Sequence, residues 1–290
     1  MMKSVLYLIR GVEMDNRQER EKEQYNKGFD KERKNYDDKF GHARYGVGYY
    51  SGYLQEKARE IMKKAKGKKV LEIGCTDWRY YLDFINNPPS DVTCINISSR
   101  ELQKGINLYT TIQDQFSKNI NFQFKTMDAH NLEFDDEHFD VVIGKAILHH
   151  LDFEKAVREI QRVLKKDGFC LFIEPMGCNP VGKIIRKKTP EARTIDEKPL
   201  EQNEIDILNK YFEVEYQFFQ LFTVPAGFIS GKISKNPYNL LMKTAFHFDK
   251  FLEKFMPMRF KMLYRIVLIN GKKQVIAKQN KQKESKVIFY

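Results

Sequence analysis

Short apolar runs alternate with amphipathic stretches through the middle of the chain. Five runs have the length and composition of buried strands, and they read VLEI, DVTCINI, INFQFKT, FDVVIG and GFCLFI at 70–73, 91–97, 120–126, 139–144 and 168–173. The stretches between them repeat apolar residues every three or four positions, as helices packed on one face do, and residues 153–165 show this most clearly. We therefore expect an α/β fold with a mostly parallel, doubly wound sheet.

The first of these runs ends at Gly74, and a helical segment at 78–85 follows it. Open α/β sheets bind nucleotide-like ligands at such a place, outside the carboxyl end of a strand and against the N-terminus of the next helix. Ser98 follows the second strand in the same way, and we expect it to cap the helix at 100–115. The sequence therefore predicts a ligand crevice along this edge of the sheet.

The N-terminal region follows different patterns. Residues 15–39 are almost all charged or polar, which predicts a solvated helix or a partly disordered arm. Residues 41–53 combine glycines with four tyrosines, and two interpretations stay open: a mobile flap over a ligand, or a loop whose rings pad the domain. An amphipathic helix is expected at 54–66.

Beyond residue 174 the regular alternation breaks. Residues 176–200 predict a long loop or a short-helix insertion at the edge of the sheet where functional loops lie. Helices are expected at 200–211 and 239–255, and strands at 212–222 and 264–269. We divide the chain into a charged arm with its tyrosine and glycine flap at 1–53, a core at 54–175, and an insertion, cap, final strands and basic tail at 176–290.

The net positive charge of the chain indicates which classes of partner it favours. It carries 50 Lys and Arg against 39 Asp and Glu, a net charge of +11, which favours a phosphorylated substrate, a nucleic acid or an acidic membrane surface. The four cysteines form no CxxC pair and have no histidine at metal-ligand spacing, so we expect reduced thiols, a cytoplasmic protein and no metal site. No segment of the sequence approaches the roughly 18 apolar residues that a membrane-spanning helix needs.

Five motifs occur in a fixed order: VLEIGC at 70–75, INIS at 95–98, MDAH at 127–130, FDVVIGKAILHHL at 139–151 and EIQRVLKKDG at 159–168. Together they resemble the class I S-adenosylmethionine-dependent methyltransferases, in particular the type 11 group that includes the ubiquinone and menaquinone biosynthesis methyltransferases. The resemblance covers about residues 45–173. It implies a Rossmann-like α/β fold, here with an inserted C-terminal cap, and S-adenosylmethionine as the cofactor.

The same resemblance implies roles for residues at the strand ends. Glu72 and Gly74 would approach the methionine end of the cofactor, and the residue at 96 would meet the ribose hydroxyls. Asp128 and Ala129 would bracket the adenine, and Lys145 would begin the loop that faces the acceptor. The predicted cofactor-binding residues are Tyr45, Glu72, Gly74, Cys75, Asn96, Ile97, Asp128, Ala129 and Lys145.

Two departures from the family pattern bear on cofactor affinity. Where the family has a GxGxG turn, this chain has Gly74, Thr76 and Trp78, so two glycines that let the backbone approach the ligand are replaced. The family's acidic residue at the end of the second strand is Asn96, which accepts a hydrogen bond but carries no charge. These changes keep one alternative open, a methyltransferase-fold binding protein without catalytic activity.

Methyl transfer to a hydroxyl or an acidic carbon needs a base that removes a proton. His149 and His150 follow the fourth strand, and the pKa of histidine suits this role near neutral pH. We expect one of the pair to be structural and choose His150 as the base. Glu174, at the end of the fifth strand, is the second candidate, and the alternative for it is an ion pair with lysines of the insertion.

The insertion carries a run of bases that either bind a phosphate group of the acceptor or form a solvated face: Lys183, Arg186, Lys187, Lys188 and Arg193. The segment at 246–269 mixes aromatic, methionine and basic residues, which suits peripheral contact with an anionic membrane, an apolar acceptor pocket or core packing. We predict an enzyme that O-methylates a small molecule: a sugar, a glycolipid or a quinone-like compound. The charge suggests an RNA methyltransferase as an alternative, although the sequence has no recognisable RNA-binding motif.

Overall fold

The protein is described by a computed structural model over residues 16–28, 44–76, 81–116, 120–234, 236 and 238–274. Residues 77–80, which include Trp78, and residues 275–290 lie outside these ranges, so the expectations for them stay predictions. Within the ranges, the helices are α1 (Asn16–Lys27), α2 (Arg44–Met62), α3 (Tyr81–Asn86), α4 (Ser99–Ile112), α5 (Phe153–Val163), α6 (Pro180–Lys188), α7 (Gln202–Tyr211), α8 (Thr223–Ile233), α9 (Leu240–Phe255) and α10 (Met258–Lys261). The strands are β1 (Lys69–Ile73), β2 (Asp91–Asn96), β3 (Asn121–Thr126), β4 (Phe139–Lys145), β5 (Leu164–Pro175), β6 (Phe212–Phe219) and β7 (Ile266–Lys273). Among these helices, none has the length and apolar character needed to cross a bilayer.

In the described part of the chain, seven strands form one sheet in the order β3-β2-β1-β4-β5-β7-β6. Strands β1 to β5 run parallel to one another, whereas β7 lies antiparallel between β5 and β6. The predicted α/β class, the five core strands and the mostly parallel sheet are confirmed. The strand order reverses between β1 and β4, which is the place where a crevice forms in sheets of this kind.

Alternate residues of the central strands enter two apolar layers, one on each face of the sheet. Leu71 and Ile73 of β1 belong to one core cluster, and Val70 belongs to the other. In β5, Phe172 and Leu171 divide between the same two clusters. Because successive side chains of a strand point to opposite faces, a continuous apolar run serves both layers. The helices that cover the two faces complete the doubly wound arrangement.

Capping residues begin the helices that leave the carboxyl edge of the sheet. Ser98 accepts a hydrogen bond from the backbone amide of Glu101 (3.2 Å) at the start of α4, so the predicted cap is confirmed. Asp152 accepts from the amide of Lys155 (3.3 Å) at the start of α5. These caps fix where the chain turns back from β2 and β4, and they position the loops of the crevice.

Helix α2 begins at Arg44, well before the helix that the sequence predicts at 54–66. The loop expected at 41–53 is therefore wrong from residue 44 onward, while the side chains of residues 44–51 lie outside the described part of the structure. The physical reason lies further along the helix, where Leu54, Ala58 and Met62 are buried at intervals of one turn. Their packing on the sheet offsets the cost of about 1 kcal/mol for each glycine in a helix.

Candidate functional site

A cavity of about 480 Å³ lies at the carboxyl ends of β1, β2, β3 and β4. It occupies the position where the strand order reverses, at which open α/β sheets bind their ligands. Apolar side chains form much of its wall, among them Ile73, Ile95, Met127, Ile147 and Leu151. A volume in the range of roughly 300–1,000 Å³ is typical of small-molecule sites, so the cavity has room for a nucleoside-sized ligand.

Gly74 turns the chain at the end of β1 with a φ of +75°, a left-handed conformation that glycine adopts without strain. A Cβ atom at this position would lie 2.7 Å from Cγ1 of Ile147, which also lines the cavity. The following residue is held by β2, because the Cys75 amide donates to the carbonyl oxygen of Ile95 (2.9 Å). The absence of a side chain at Gly74 therefore keeps the cavity open between β1 and β4.

Asn96 joins the turn after β1 to the turn after β2. Its Nδ2 donates to the carbonyl oxygen of Cys75 (2.8 Å), and its Oδ1 accepts from the amide of Ser98 (2.9 Å). A carboxylate at this position could not donate to that carbonyl oxygen. The amide of Asn96 carries no charge, but it can donate this hydrogen bond and so links the two turns. Asn96 also lines the cavity, where the second lone pair of Oδ1 can accept from a ligand hydroxyl.

Asp128 and His130 form a buried pair just beyond β3. Oδ1 of Asp128 accepts from the backbone amide of His130 (2.9 Å) and lies 2.7 Å from Nδ1 of its ring. Nε2 of the same ring accepts from the amide of Asp152 (2.8 Å), so the ring proton that Asp128 accepts is on Nδ1. Oδ2 is then the atom with which Asp128 can accept from an amino group, beside the apolar surface of Ala129.

Glu174 organises the 3₁₀ turn that follows β4. Its Oε1 accepts from the two backbone amides that open this turn (3.0 and 2.9 Å), and its Oε2 lies 2.6 Å from Nδ1 of His149. Both side chains are buried and lie behind the cavity wall. Glu174 therefore meets His149 in place of the lysines of the insertion, and the two residues fix the turn that presents His150.

His150 lies on the cavity wall. Its Nε2 is 2.9 Å from the hydroxyl oxygen of Tyr25, and its Nδ1 is 3.4 Å from Oε2 of Glu21, an ion-pair distance. Burial and, to a smaller extent, the neighbouring His149 lower the pKa of His150, although Glu21 opposes this, so the ring is neutral near pH 7. Among the described residues, the carboxylate oxygens of Glu21 accept no hydrogen bond, although the residue is only 6% exposed. Such a carboxylate is stabilised when His150 is protonated or when a ligand donates to it.

Helix α1 crosses the cavity and supplies four residues of its wall: Arg17, Gln18, Glu21 and Tyr25. At one end Arg20 makes a two-point ion pair with Asp196 of the insertion (2.9 and 3.0 Å), and at the other Ser98 donates to Asn26 (2.7 Å). Of the solvated helix or partly disordered arm predicted at 15–39, the helix is confirmed over residues 16–27, whereas its full solvation is wrong, because one polar face of the helix packs on the site. Residues 18, 21 and 25 recur at helical spacing, which is the signal that an inspection of apolar positions alone misses.

The cavity wall brings together much of the predicted site: Gly74, Asn96, Ile97, Asp128, Ala129, Lys145 and His150. The structure places the other described candidates behind that wall: Glu72, Cys75, His149 and Glu174. The carboxylate of Glu72 accepts from the Cys94 thiol (3.5 Å) within the sheet. Burial lowers the pKa of Lys145 on the wall. The side chain of Tyr45 lies outside the described part of the structure, and its predicted role stays a prediction.

The basic residues of the insertion form two groups. Lys183, Lys187 and Lys188 of α6 are exposed, as in the solvated-face alternative. Arg186 donates to the carbonyl oxygen of residue 177 (2.9 Å), and Arg193 donates to that of residue 189 (2.8 Å). These arginines therefore brace the insertion itself, and the phosphate-binding role stays a prediction.

Three residues beside the cavity have a geometry compatible with metal ligation. His149, His150 and Glu197 place candidate ligand atoms within 4.8 Å of one another. Nδ1 of His149 is committed to Glu174, and Nε of Arg193 lies 3.4 Å from Glu197. The arginine already supplies a positive charge to this carboxylate, and the expectation of no metal site stays a prediction.

Residues 71–172 match a protein family described as a methyltransferase domain. The demethylmenaquinone methyltransferase of Staphylococcus carnosus is 27% identical over 201 residues, which cover 67% of this chain and 67% of that protein. The demethylmenaquinone methyltransferase of Staphylococcus epidermidis is 32% identical over 116 residues. This second alignment covers 39% of this chain and 45% of the relative, so it spans less than half of either protein.

A solved structure with a similar fold is the geranyl diphosphate C-methyltransferase of Streptomyces coelicolor in complex with Mg²⁺, geranyl diphosphate and S-adenosyl-L-homocysteine. It has a TM-score of 0.51 and 11% identity over 77% of this chain and 82% of that chain. At this identity the likeness concerns the fold alone. The matched domain and the five motifs agree with the strand order and with the cavity at its reversal. Residues 71–172 therefore form a domain that is similar to the methyltransferase domain family and to the demethylmenaquinone methyltransferases.

Proposed function

We propose that the chain transfers a methyl group from S-adenosylmethionine to a hydroxyl oxygen of a small, quinone-like acceptor. One observation carries the proposal: a single cavity wall includes strand-end residues suited to a nucleoside and a buried histidine that is neutral near pH 7. The sequence relatives named demethylmenaquinone methyltransferases support a quinone-like acceptor over a sugar. The largely apolar wall of the cavity suits a flat ring of this kind.

The β1 to β3 side of the cavity fits the cofactor. Gly74 leaves open a space that a Cβ atom would fill against Ile147. Oδ1 of Asn96 can accept from a ribose hydroxyl, and Oδ2 of Asp128 can accept from the adenine amino group while Ala129 contacts the ring. S-adenosylmethionine, when bound, supplies an electrophilic methyl group on a sulfonium centre.

The β4 and α1 side supplies the proton transfer. We assign Nε2 of His150 as the atom that receives the hydroxyl proton, directly or across the hydroxyl of Tyr25 at 2.9 Å. With the cofactor bound, the deprotonated acceptor oxygen would take the methyl group from the sulfonium centre, and S-adenosylhomocysteine would be the leaving group. The resulting imidazolium faces Glu21, whose carboxylate lies 3.4 Å from Nδ1 and has no other described hydrogen bond. The buried carboxylate of Glu21 thus stabilises the protonated form of His150 that results when the acceptor loses its proton.

Two measurements on the full chain test this proposal. Titration calorimetry with S-adenosylhomocysteine should show binding. An assay with S-adenosylmethionine that is labelled on its methyl group should show transfer of the label to phenols or quinols with a free hydroxyl. His150→Gln should lower kcat by about a hundredfold and leave the Kd for S-adenosylhomocysteine within about twofold of the wild type. His138→Gln is the matched control, because this histidine lies before β4, at the opposite end of that strand.

The outcomes separate the alternatives. Absence of heat with S-adenosylhomocysteine would favour the non-catalytic binding protein. Label in a carbon-methylated product would reject the oxygen as the acceptor atom while keeping the transfer. Full activity of His150→Gln would remove this residue from the chemistry.

A further inference from the structure

The outer face of α9 is apolar. Leu240, Phe248, Phe251 and Phe255 are all exposed, Phe251 by 59% and Phe255 by 64%. Together with Thr244 these positions recur every three or four residues, so they form one stripe along the helix. Helices of globular proteins normally turn such a stripe toward the core. Here it faces away from the described part of the chain.

Buried contacts fix this orientation of α9. Asp249 accepts hydrogen bonds from the three backbone amides at 221–223 (2.7 to 3.1 Å), and the hydroxyl of Tyr264 donates to the Asp249 carbonyl oxygen (2.6 Å). Met242 and Ala245 are buried on the same side of the helix. Rotation of the apolar stripe toward the core would break these hydrogen bonds and expose both apolar side chains.

Helix α8 extends the exposed apolar area. Ile229 and Ile233 are one turn apart and are 52% and 77% exposed. The ring of Phe222 contacts that of Phe248, with 5.0 Å between their centroids, and so connects the start of α8 to the stripe of α9. Monomeric proteins rarely expose so many neighbouring apolar side chains without a binding role. We call this set the α8–α9 surface: Phe222, Ile229, Ile233, Leu240, Leu241, Phe248, Phe251 and Phe255.

Basic side chains accompany the α8–α9 surface. In the described part of the stretch 222–261 they are Lys232, Lys243, Lys254 and Arg259, while Lys250 lies over the ring of Tyr53 (4.5 Å) and Lys261 pairs with Glu253. The acidic residues of the same stretch are Asp249, which is buried, and Glu253, which pairs with Lys261 at 3.4 Å. An apolar centre with cationic borders is complementary to a surface of acidic headgroups above acyl chains.

We propose that the α8–α9 surface docks on an anionic lipid bilayer, with its phenylalanines at the acyl boundary and its lysines among the headgroup phosphates. A second copy of the chain is a poorer occupant, because a symmetric contact would bring the two sets of basic side chains together. Docking does not depend on the chemistry of the cavity, so either proposal can fail alone. If both hold, the enzyme meets a lipid-soluble acceptor where that acceptor is concentrated.

Cosedimentation of the full chain with vesicles tests the apolar part of the surface. Binding to vesicles of phosphatidylcholine with phosphatidylglycerol should be at least about tenfold tighter than to phosphatidylcholine alone. The double variant Phe251→Ser with Phe255→Ser should weaken binding by about tenfold or more, because two exposed rings no longer enter the bilayer. The matched control is Ile184→Ser with Ile195→Ser, which removes side chains that are 56% and 85% exposed outside the surface.

Charge reversal tests the basic part. Lys243→Glu with Lys254→Glu should weaken binding to the anionic vesicles by about tenfold or more, since each lysine near such a membrane contributes roughly a fivefold effect. Lys187→Glu with Lys188→Glu makes the same change of charge on the exposed face of α6 and should have a smaller effect. Wild-type binding should also weaken as the salt concentration rises.

Three results would overturn the proposal. They are equal binding of the wild type to neutral and anionic vesicles, wild-type binding by the phenylalanine double variant, and a dimer in light scattering that the same double variant dissociates. The last result would assign the surface to a second copy of the chain. Thermal melting of each variant, compared with the wild type, shows whether it is folded, which is expected because the replaced side chains are exposed.

Discussion

Replacement of Gly74 by alanine tests whether the turn after β1 forms part of a cofactor site. Gly74 has a φ of +75°, and an added Cβ would lie 2.7, 2.8 and 3.0 Å from Cγ1, Cδ1 and Cβ of Ile147. Gly67→Ala is the matched control. Gly67 has a φ of +71°, and a Cβ added there meets no atom within 4 Å. The two variants share the backbone strain, and only the first has the steric contact.

The expected magnitudes follow from these distances. A non-glycine residue in the left-handed region costs about 1–2 kcal/mol, so both variants should melt about 2–4 °C below the wild type. Carbon atoms pack at about 3.5–4.0 Å, so the new methyl group must displace the Ile147 side chain by roughly 1 Å. Ile147 lines the cavity beside Gly74. A displacement of that size should lower the affinity for S-adenosylhomocysteine by about tenfold, or about 1.4 kcal/mol.

Thermal melting measures the first effect and titration calorimetry measures the second. We expect the melting temperature of Gly74→Ala to be similar to that of Gly67→Ala or lower. Only Gly74→Ala should have a higher Kd for S-adenosylhomocysteine. If both variants bind S-adenosylhomocysteine as the wild type does, the turn at Gly74 does not contact the cofactor. If Gly67→Ala loses the same affinity, the loss reflects global destabilisation, and the steric reasoning is refuted.

Two further predictions concern the other ends of the cavity. Asp128→Asn should weaken S-adenosylhomocysteine binding by about tenfold or more in calorimetry, because an amide in place of Oδ2 turns a donor toward the adenine amino group, while Asp135→Asn, at an exposed position, should not. An unchanged Kd would limit Asp128 to holding His130. Because burial lowers the pKa of His150, the neutral base should be lost only at acidic pH, and the acidic limb of the kcat/KM profile should have its midpoint below about 6.5. A midpoint above that value, or the same limb in His150→Gln, would exclude His150 as the titrating base.

The strand ends and several of the residues that follow them could be predicted from the sequence. Gly74, Asn96 and Asp128 each lie at or just beyond the carboxyl end of an apolar run, and parallel strands bring such positions to one edge. The continuous apolar runs gave the five core strands for the same reason, since buried parallel strands show little alternation. Local sequence patterns were therefore sufficient to predict the part of the cavity wall that the strand ends form.

The part of the cavity wall that α1 and the turn after β4 form could not be predicted in this way. Tyr25 and His150 are separated by 125 residues, and His149 and Glu174 by 25, so both pairs exist only in the folded chain. Helix α1 packs through polar side chains, and its composition is that of a solvated segment. Hydrophobic periodicity carries no information about such packing, because the partners of buried polar groups are set by tertiary geometry.

Helix α1 is attached to the protein in an unusual way. Among its described residues, none belongs to the apolar clusters of the core. Its ion pair between Arg20 and Asp196 is 51% and 20% exposed, and such pairs contribute about 0–1 kcal/mol. Hydrogen bonds between polar groups hold the helix instead, among them those that join Gln18 to His130 (2.8 Å) and Tyr25 to His150 (2.9 Å). A molecule that bonds to Glu21 or Tyr25 adds contacts to this polar interface, so its residence time depends on the helix as well as on the sheet.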